Sequence, residues 1–276
     1  MLSTHSVKVT ATHLPPSSQE YVYVLAGTEL AFSHQVPRLQ SFFVGCRVLN
    51  GDSPRFNFPD AGLFTLCYHG TAPFANTLRD VKFFRYKRFV QLNIDDVPAC
   101  QISLNDSRIN VINNSPFDSP INLELLTGPA LIILMAQNGV VCLHAGAVAT
   151  AVGNMAIIAE SGAGKSTLSK HVDSRWTQLA DDIQPILGAS LLPDFPQLKL
   201  PNARSQGQLG ADTTLKAILR VQPMASTEIQ FKRLNSVEAL LQVVRHTVAT
   251  KLFDGALLSA QMSFAKKLVS VVPVIE

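Results

Sequence analysis

The sequence predicts an α/β protein with a β-rich N-terminal domain over residues 1–118 and an α/β domain over residues 119–276. In the first part, short runs of Val, Phe, Ile and Tyr are separated by Pro, Gly, Asn and Asp, a pattern typical of strands and turns. Residues 113–120 are polar and turn-forming, and they mark the boundary. In the second part, an apolar strand runs into a glycine-rich turn and then a helical pattern near residue 160.

Strands are predicted wherever β-branched and aromatic residues cluster between turn-forming residues. In the N-terminal domain we expect them at residues 21–25, 42–48, 63–68, 83–94 and 109–112, with turns at residues 95–96 and 105–106. In the C-terminal domain we expect a hairpin within residues 140–159, a short strand from residue 179, and strands at residues 215–221 and 228–231.

Two segments around the centre of the chain are predicted to be helical. Residues 121–137 are apolar but contain Gly128 and Pro129, which predicts one kinked helix or two short ones, because proline disrupts the preceding turn. Residues 165–173 carry Leu168 and Val172 on one face and read as a helix.

Local capping and turn signals mark two further elements. Asn235 followed by Glu238 predicts a capping box that opens a helix through about His246. The dipeptide Gly153-Asn154 is a favourable two-residue hairpin turn, so we expect the two strands of the 140–159 hairpin to meet there. The remaining C-terminal residues are expected to add helix and strand to the same core.

Composition and charge exclude several classes of protein. Of 276 residues, 47% are hydrophobic and 16% are charged, and the formal net charge is +3, which argues for a buried core and against charged disordered tails. No concentrated basic surface or RNA- or DNA-binding fingerprint is present, so no nucleic-acid partner is expected. One basic stretch is more typical of a strand with an apolar and a charged face: Lys82, Arg85, Lys87 and Arg88 between Phe83, Phe84, Tyr86 and Phe89.

The sequence also predicts a cytoplasmic location without a membrane partner. The N-terminal residues contain no apolar leader, and the longest purely apolar run, residues 130–136, is too short to span a bilayer. The four cysteines form no C-x-x-C pair and have no histidine at metal-ligand spacing, so we expect small buried thiols: Cys46, Cys67, Cys100 and Cys142.

Residues 156–167, AIIAESGAGKST, predict a phosphate-binding loop between a strand and a helix. Glycines allow several backbone N–H groups to converge on one anion, and the helix that follows points its positive end at it. Lys165 would reach the β- and γ-phosphates of ATP or another nucleoside triphosphate, and the Ser166 hydroxyl would bind Mg²⁺. The residues expected to hold the nucleotide are Ser161, Gly162, Ala163, Gly164, Lys165, Ser166 and Thr167.

Ala159 occupies the first position of this motif, where glycine is usual. If the position requires a positive φ, alanine would cost roughly 1 kcal/mol.

His144 and the acidic pair Asp181-Asp182 flank the loop in sequence. A hairpin that turns at Gly153-Asn154 places Val148 opposite Ala159 and His144 level with Ala163, beside the loop. Two carboxylates at the end of a strand, shortly after the loop helix, are suited to meet Mg²⁺ or a substrate hydroxyl. Each feature alone has a plainer interpretation, a core histidine or a surface turn, but together they favour an active site.

These motifs resemble the HPr kinase/phosphorylase superfamily, whose fold is similar to phosphoenolpyruvate carboxykinase. The resemblance lies in HAGAV, ESGAGKST and LADD, at residues 144–148, 160–167 and 179–182. Residues 26–39 are similar to the opening of HPr-kinase-related proteins of peptide biosynthesis clusters, including lasso peptide kinases, and residues 195–200 and 220–241 fit the C-terminal part of that family. The N-terminal domain does not resemble that of true HPr kinases, which argues against HPr as the substrate.

The resemblance implies a P-loop kinase core and a phosphoryl transfer from ATP to a hydroxyl, with Mg²⁺ as cofactor. One of Asp181 and Asp182, with Asp181 as the first choice, would take the proton from the attacking hydroxyl, and the other would help Ser166 to place the metal. His144 would orient the base or touch the phosphoryl group. The acceptor would be a serine of a peptide or protein, such as a biosynthetic precursor peptide or a carrier protein, with a small metabolite as the alternative, and a homo-oligomer is possible. Arg204 and Arg220 are further candidate phosphate contacts.

Two alternatives remain open at this stage. The letters ESGAGKST also occur in ABC-type ATPases, but neither an LSGGQ-like signature nor an apolar strand ending in Asp-Glu follows the loop. The second alternative is a nucleotide-binding regulator without catalysis. Ala159 favours it, whereas the presence of Lys165, His144 and Asp181-Asp182 counts against it.

Overall fold

The computed structural model describes residues 5–11, 19–26, 28–37, 39, 43–48, 59–116, 118–160, 162–165, 167–168, 176–192, 195, 212–222 and 228–276. The chain forms two compact units, Met1–Leu134 and Met135–Glu276. It is a mixed α/β protein whose N-terminal unit is rich in strands, as predicted.

The N-terminal unit contains one nine-stranded sheet with the order β4-β2-β3-β1-β9-β8-β7-β6-β5. Strand β1 pairs in parallel with both β3 and β9, and the other neighbours are antiparallel. The strands are β1 His5–Ala11, β2 Gln19–Leu25, β3 Thr28–Phe32, β4 Phe43–Val48, β5 Thr65–Phe74, β6 Thr77–Tyr86, β7 Phe89–Ile94, β8 Val97–Ser103 and β9 Arg108–Val111, and a 3-10 helix spans Ala61–Leu63.

Tight turns join β5 through β8 into a meander. The predicted turn at Asp95-Asp96 is confirmed, with φ of 51° and 64°, the left-handed pair that matches strand twist in two-residue hairpins. The prediction of residues 83–94 as one strand is wrong, because the chain turns at Lys87, where φ is 51°, and divides into β6 and β7. Lysine carries no turn signal of the glycine or asparagine kind, so composition alone missed this turn.

Lys82, the first residue of the basic stretch, is neutralised by carboxylates of the neighbouring hairpins. Val81 and Phe83 are buried, whereas Lys82 lies on the other face in ion pairs with Asp96 and Asp80. The hydrogen bond to Asp96 raises the pKa of Lys82. A strand with an apolar and a charged face therefore accounts for residues 82–86 of this segment, and the remainder is the turn into β7.

Helix α1, Pro120–Leu125, and helix α2, Leu131–Gln137, are joined by a π-helical turn, Leu126–Ala130. Gly128 leaves helical backbone angles just before Pro129, so the predicted kinked helix is observed. Among the described residues, one helical segment, Pro120–Gln137, is long and apolar enough to cross a membrane by length and composition alone, and 67% of it is buried. Core helices of globular proteins meet the same criterion.

The C-terminal unit contains a five-stranded sheet, β13-β11-β12-β16-β17, and a three-stranded sheet, β10-β14-β15. Strand β12 pairs in parallel with β16, and β16 with β17, while β11 is antiparallel to β12 and β13. The strands are β10 Val141–Leu143, β11 Ala145–Thr150, β12 Gly153–Ala159, β13 Thr177–Ala180, β14 Gln184–Leu187, β15 Ser190–Leu191, β16 Leu215–Val221 and β17 Val274–Ile275.

The segments that carry the predicted site residues all lie at one end of the five-stranded sheet. Because β11 is antiparallel to both β12 and β13, these two run in the same direction as β16. Strands β12, β13 and β16 therefore finish at the same end, where β11 begins, and we call this end the carboxyl edge. In α/β sheets, ligands bind outside the carboxyl ends of the strands.

Two helices complete the core of the C-terminal unit. Helix α3, Ser236–Arg245, begins with the predicted capping box: Asn235 accepts hydrogen bonds from the amides of Val237 and Glu238, and Glu238 accepts one from the Asn235 amide. Helix α4, Gly255–Val271, follows a 3-10 turn, Thr250–Leu252. The buried faces of both helices join the strands in one apolar cluster that includes Ala239, Val243, Ala265 and Leu268.

The predicted strand at residues 228–231 is wrong. No strand is present there, and Ile229 and Phe231 are 86% and 80% exposed. The neighbouring Lys232 instead exchanges two backbone hydrogen bonds with Glu276. β-branched and aromatic residues favour strands only where a neighbouring strand pairs with them, and here the pairing begins one residue later.

The β11–β12 hairpin turns two residues earlier than predicted. Thr150 pairs with Gly153, so Ala151 and Val152 form the turn, and the Thr150 hydroxyl closes it by accepting from the Val152 amide and donating to the Gly153 carbonyl. Asn154 is a buried strand residue whose side-chain amide donates to the carbonyls of Asp212 and Thr214. These tertiary hydrogen bonds compete with the local turn preference of Gly153-Asn154 and replace it.

Gly153 itself has a structural role at the start of β12. Its φ is +121°, and a Cβ there would lie 2.4 Å from Lys216 Cγ. Backbone in this region is essentially restricted to glycine and costs other residues about 1–3 kcal/mol. We therefore expect Gly153→Ala to lower the free energy of unfolding by about that amount, measured by urea denaturation.

Gly255→Ala is the matched control for that measurement. Gly255 opens helix α4, has no positive φ, and has no described atom within 4 Å of an added Cβ. Alanine should leave stability unchanged or raise it by about 0.5–1 kcal/mol. Equal stability of the two variants would contradict the role assigned to Gly153.

Candidate functional site

The predicted phosphate loop follows the last residue of β12 and ends at a helix. Gly162 and Gly164 have φ of +82° and +87°, and Lys165 is the first helical residue. The Leu168 amide donates to the Gly164 carbonyl at 2.8 Å, which is the first helical hydrogen bond of this turn. The strand, glycine turn and helix therefore occur in the order that the motif requires. Ser161 and Ser166 lie outside the described residues.

The glycine turn leaves room for an anion. A Cβ added to Gly162 or Gly164 would meet no described atom within 4 Å, so no described part of the chain fills the space next to the two Cα atoms. Lys165 lies at the start of the helix with a residue exposure of only 8%, and Thr167 is exposed on the same turn. A positive helix end, a buried lysine and an open glycine turn together fit a phosphate group.

Ala159 causes no strain at the start of the motif. It is the last residue of β12, is extended, and pairs with Val221 of β16. The penalty of roughly 1 kcal/mol for a left-handed alanine does not apply, because this position does not have a positive φ. Ala159 therefore no longer favours a nucleotide-binding regulator without catalysis.

His144 and Asp181-Asp182 lie where the chain passes from one sheet to the other. His144 separates β10 from β11, and the acidic pair separates β13 from β14. Leu143 pairs with Gln184 in the three-stranded sheet, and Ala147 pairs with Ala180 in the five-stranded sheet. The two segments in which the chain passes between the sheets therefore lie next to each other, at the same position along the strands.

Direct contacts hold the two crossings together. The Ala145 amide donates to the Asp182 carbonyl at 3.1 Å, and His144 Nδ1 lies 3.5 Å from Asp182 Oδ1. The His144 amide donates to the carbonyl of His246, at the end of α3, at 2.7 Å. The His144 side chain is 43% exposed, so it is not a core histidine.

The hairpin register moves His144 relative to the loop. Ala145 pairs with Ile158, so by extension His144 is level with Ala159 and not with Ala163, as the predicted turn implied. The observed register of β11 against β12 differs from the predicted one by an even number of residues, so each side chain stays on the face of the sheet that was predicted for it. Residues opposite each other in antiparallel strands have Cα atoms about 5 Å apart, so Ala145, the residue after His144, lies beside the end of β12, where the loop begins.

Asp181 is the more buried of the two acidic residues. It follows β13 directly, its residue exposure is 7%, and Gln178 Nε2 donates to its Oδ1 at 3.4 Å. Asp182 is less buried and is the residue that contacts His144. The two carboxylates therefore differ in environment, which allows them to have different tasks.

Arg245 also reaches the loop, although no sequence pattern predicted it. It is the last residue of α3, and its Nη2 lies 3.1 Å from Oε1 of Glu160, the first loop residue after β12. A basic residue in the last turn of a helix is common, so no local signal connected Arg245 to the loop. The ion pair brings a second cation to the loop, since Lys165 supplies the first.

Of the two arginines that the sequence offered as phosphate contacts, one is described. Arg220 of β16 forms an ion pair with Glu276, which accounts for its charge. Arg204 lies outside the described residues.

Metal-binding residues are sparse in the part of the chain that is described. No group of three or more His, Cys, Asp or Glu side chains converges there. Magnesium in nucleotide sites typically uses one or two protein ligands together with phosphates and water, so a cluster of that size is not required. Asp182 fits this chemistry, because carboxylate oxygens suit a hard cation.

Two of the four cysteines are deeply buried thiols. Burial raises the pKa of Cys100 and of Cys142 to about 12, so neither forms a thiolate near neutral pH. The prediction of buried thiols is correct for these two and wrong for Cys67, which is exposed on the edge strand β5. The side chain of Cys46 is outside the described part of the chain.

Comparison of the chain with models of protein families found no match, and comparison with curated proteins found none either.

Proposed function

We propose that this chain is a kinase related to HPr kinase that uses ATP and Mg²⁺ to phosphorylate a hydroxyl, with the serine of a peptide or protein as acceptor. One observation carries the proposal. The glycine turn with Lys165, the His144–Asp182 contact and the buried Asp181 all lie at the carboxyl edge of one sheet, on neighbouring strands. This is the arrangement that phosphoryl transfer requires, since it needs positioning, charge neutralisation and an acceptor for one proton.

The residues of the loop would hold the nucleotide. Backbone amides around Gly162 and Gly164 would bind phosphate oxygens, and Lys165 would neutralise charge on the β- and γ-phosphates. Ser166 and Asp182 would bind Mg²⁺. Bound ATP would supply the phosphoryl group.

Asp181 would act as the general base. A carboxylate that accepts the proton of the acceptor hydroxyl makes the oxygen a better nucleophile as the new bond forms. Asp182 contacts His144, whereas the Asp181 carboxylate accepts a hydrogen bond from Gln178 of β13. Asp181 is therefore the member of the pair that we assign as the base. His144 would orient the acidic pair through Asp182 or contact the transferring group itself.

The proposal includes a cytoplasmic location, a peptide or protein partner such as a biosynthetic precursor peptide, and neither a nucleic-acid nor a membrane partner. A homo-oligomer is compatible with it. The acceptor class rests on the family resemblance and not on a described binding surface.

The test is transfer of label from γ-labelled ATP. The purified chain is incubated with Mg²⁺, γ-labelled ATP and a library of serine-containing peptides, and labelled peptide and released phosphate are measured. Label on peptides, with matching ADP formation, is the expected result. ATP binding without labelled product or phosphate release would support the non-catalytic regulator instead, and an ABC-type ATPase would release phosphate without labelling any peptide.

We expect His144→Ala to lower kcat more than it weakens ATP binding, because the contact of the imidazole with Asp182 or with the transferring phosphoryl group would matter most in the transition state. Steady-state kinetics and calorimetric titration with ATP measure the two effects. The backbone amide of His144, which donates to His246, is retained in the variant, so the crossing should persist.

His69→Ala provides the matched control for His144→Ala. His69 forms a comparable contact with Asp80, at 2.6 Å, on an exposed hairpin of the N-terminal unit. Its removal should leave turnover unchanged. A His144→Ala variant that is destabilised but has the wild-type specific activity would contradict the catalytic role.

A further inference from the structure

Strand β13 contains an irregularity directly before the acidic pair. Ala180 pairs with Ala147, but the next pair toward the start of the strand is Gln178 with Val148, so Leu179 is an extra residue on β13. Leu179, Ala180 and Asp181 are consecutively buried, which breaks the alternation of a regular strand. These are the properties of a β-bulge.

The bulge changes which side chains share a face. In a regular strand, residues three apart point to opposite faces, so Gln178 and Asp181 could not meet. An extra residue reverses the alternation beyond it, and Gln178 Nε2 accordingly donates to Asp181 Oδ1 at 3.4 Å. Bulges next to active sites commonly redirect a side chain in this manner.

We propose that Gln178 is a positioning residue that orients the Asp181 carboxylate for proton transfer, an inference that rests on the proposed function. The terminal torsion of an aspartate is broad, so a carboxylate without a fixed partner samples a range of orientations. A hydrogen bond to one oxygen restricts that rotation. Catalytic groups need placement within about 0.5 Å and 10–20° of the productive geometry, which such a bond can provide.

The test compares MgATP turnover by two variants of Gln178. Gln178→Met keeps the length of the side chain without its donor, and Gln178→Glu keeps the shape but puts an acceptor against the carboxylate. Both should lower kcat by about 10-fold or more, within the ~10²-fold that a small misplacement can cost. KM for ATP and the melting temperature should change little, which separates positioning from a structural role.

Thr177→Val is the matched control on the same strand. Thr177 is exposed at the start of β13 and pairs with Ala149, so its substitution tests the effect of altering the strand without touching Asp181. Turnover at the wild-type rate is expected. A loss equal to that of the Gln178 variants would overturn the assignment to Gln178.

Coupling to Asp181 provides the decisive comparison. If Gln178 acts through Asp181, adding Gln178→Met to Asp181→Asn should cause no further loss of kcat, because residues that act as a unit are not additive. A further loss as large as in the single variant would overturn the proposal. So would full activity in both Gln178 variants while wild type turns over MgATP. A wild-type chain that shows no phosphoryl transfer at all would overturn the proposed function first, and the two failures are therefore distinguishable.

Discussion

Lys165→Ala is expected to reduce phosphoryl transfer by about 10³-fold or more, to background, while the chain remains folded. The ammonium group is the buried cation of the glycine turn, at the first helical residue. Under the proposed function, removing it would leave the phosphate charge without its main neutralising side chain in a site of low dielectric, where such contacts are strongest. Transfer of γ-label and circular dichroism measure the two expectations.

Lys216→Ala is the control for the loss of a lysine. Lys216 lies on β16 of the same sheet and is about half-exposed. Within the described part of the chain, its ion-pair partner is the exposed Asp212, at 3.9 Å. Turnover should be unchanged in this variant. Wild-type activity in Lys165→Ala would refute the phosphate-loop assignment, because no other lysine of the loop could replace it.

Asp181→Asn is expected to retain ATP binding and lose most turnover. A positioned general base contributes about 10²–10⁴-fold, and asparagine keeps the shape of the side chain while it cannot accept the proton. Calorimetric titration with ATP and steady-state kinetics at saturating ATP separate binding from turnover. Lost ATP binding with normal turnover at saturation would show that Asp181 holds the nucleotide and is not the base.

Two further variants make that result specific. Asp182→Asn should raise the Mg²⁺ concentration needed for half-maximal activity, because Asp182 is assigned to the metal. Asp212→Asn, an exposed carboxylate of the same unit, should change neither property. If Asp182→Asn gave the larger loss of kcat at saturating Mg²⁺, the roles of the two carboxylates would be exchanged.

Local sequence signals predicted much of the fold. The capping box at Asn235, the kink at Pro129 and the turn at Asp95-Asp96 each depend on residues that are close in sequence, and each is observed. The strand at residues 215–221 was predicted within its observed bounds. Such features have their physical cause in the segment itself, in backbone geometry or a side chain that reaches the next turn.

Errors arose where a distant segment decided the outcome. The Gly153-Asn154 turn was displaced because Asn154 donates to the carbonyls of Asp212 and Thr214, far along the chain. The strand at residues 228–231 failed because no strand of the described chain pairs with it. Intrinsic β-preference expresses the fit of a residue to a paired surface, so it cannot predict whether the partner is present.

The amino-acid sequence by itself determined that a strand, a glycine turn and a helix surround Lys165, and that His144 and Asp181-Asp182 flank this segment on its two sides in the chain. Only the tertiary structure decided that His144 is level with Ala159, that it contacts Asp182, and that Arg245 reaches Glu160. The reason is physical. Register and helix docking are chosen by the burial of whole faces and by hydrogen bonds between distant segments, and the residues that finally touch carry no local mark of one another.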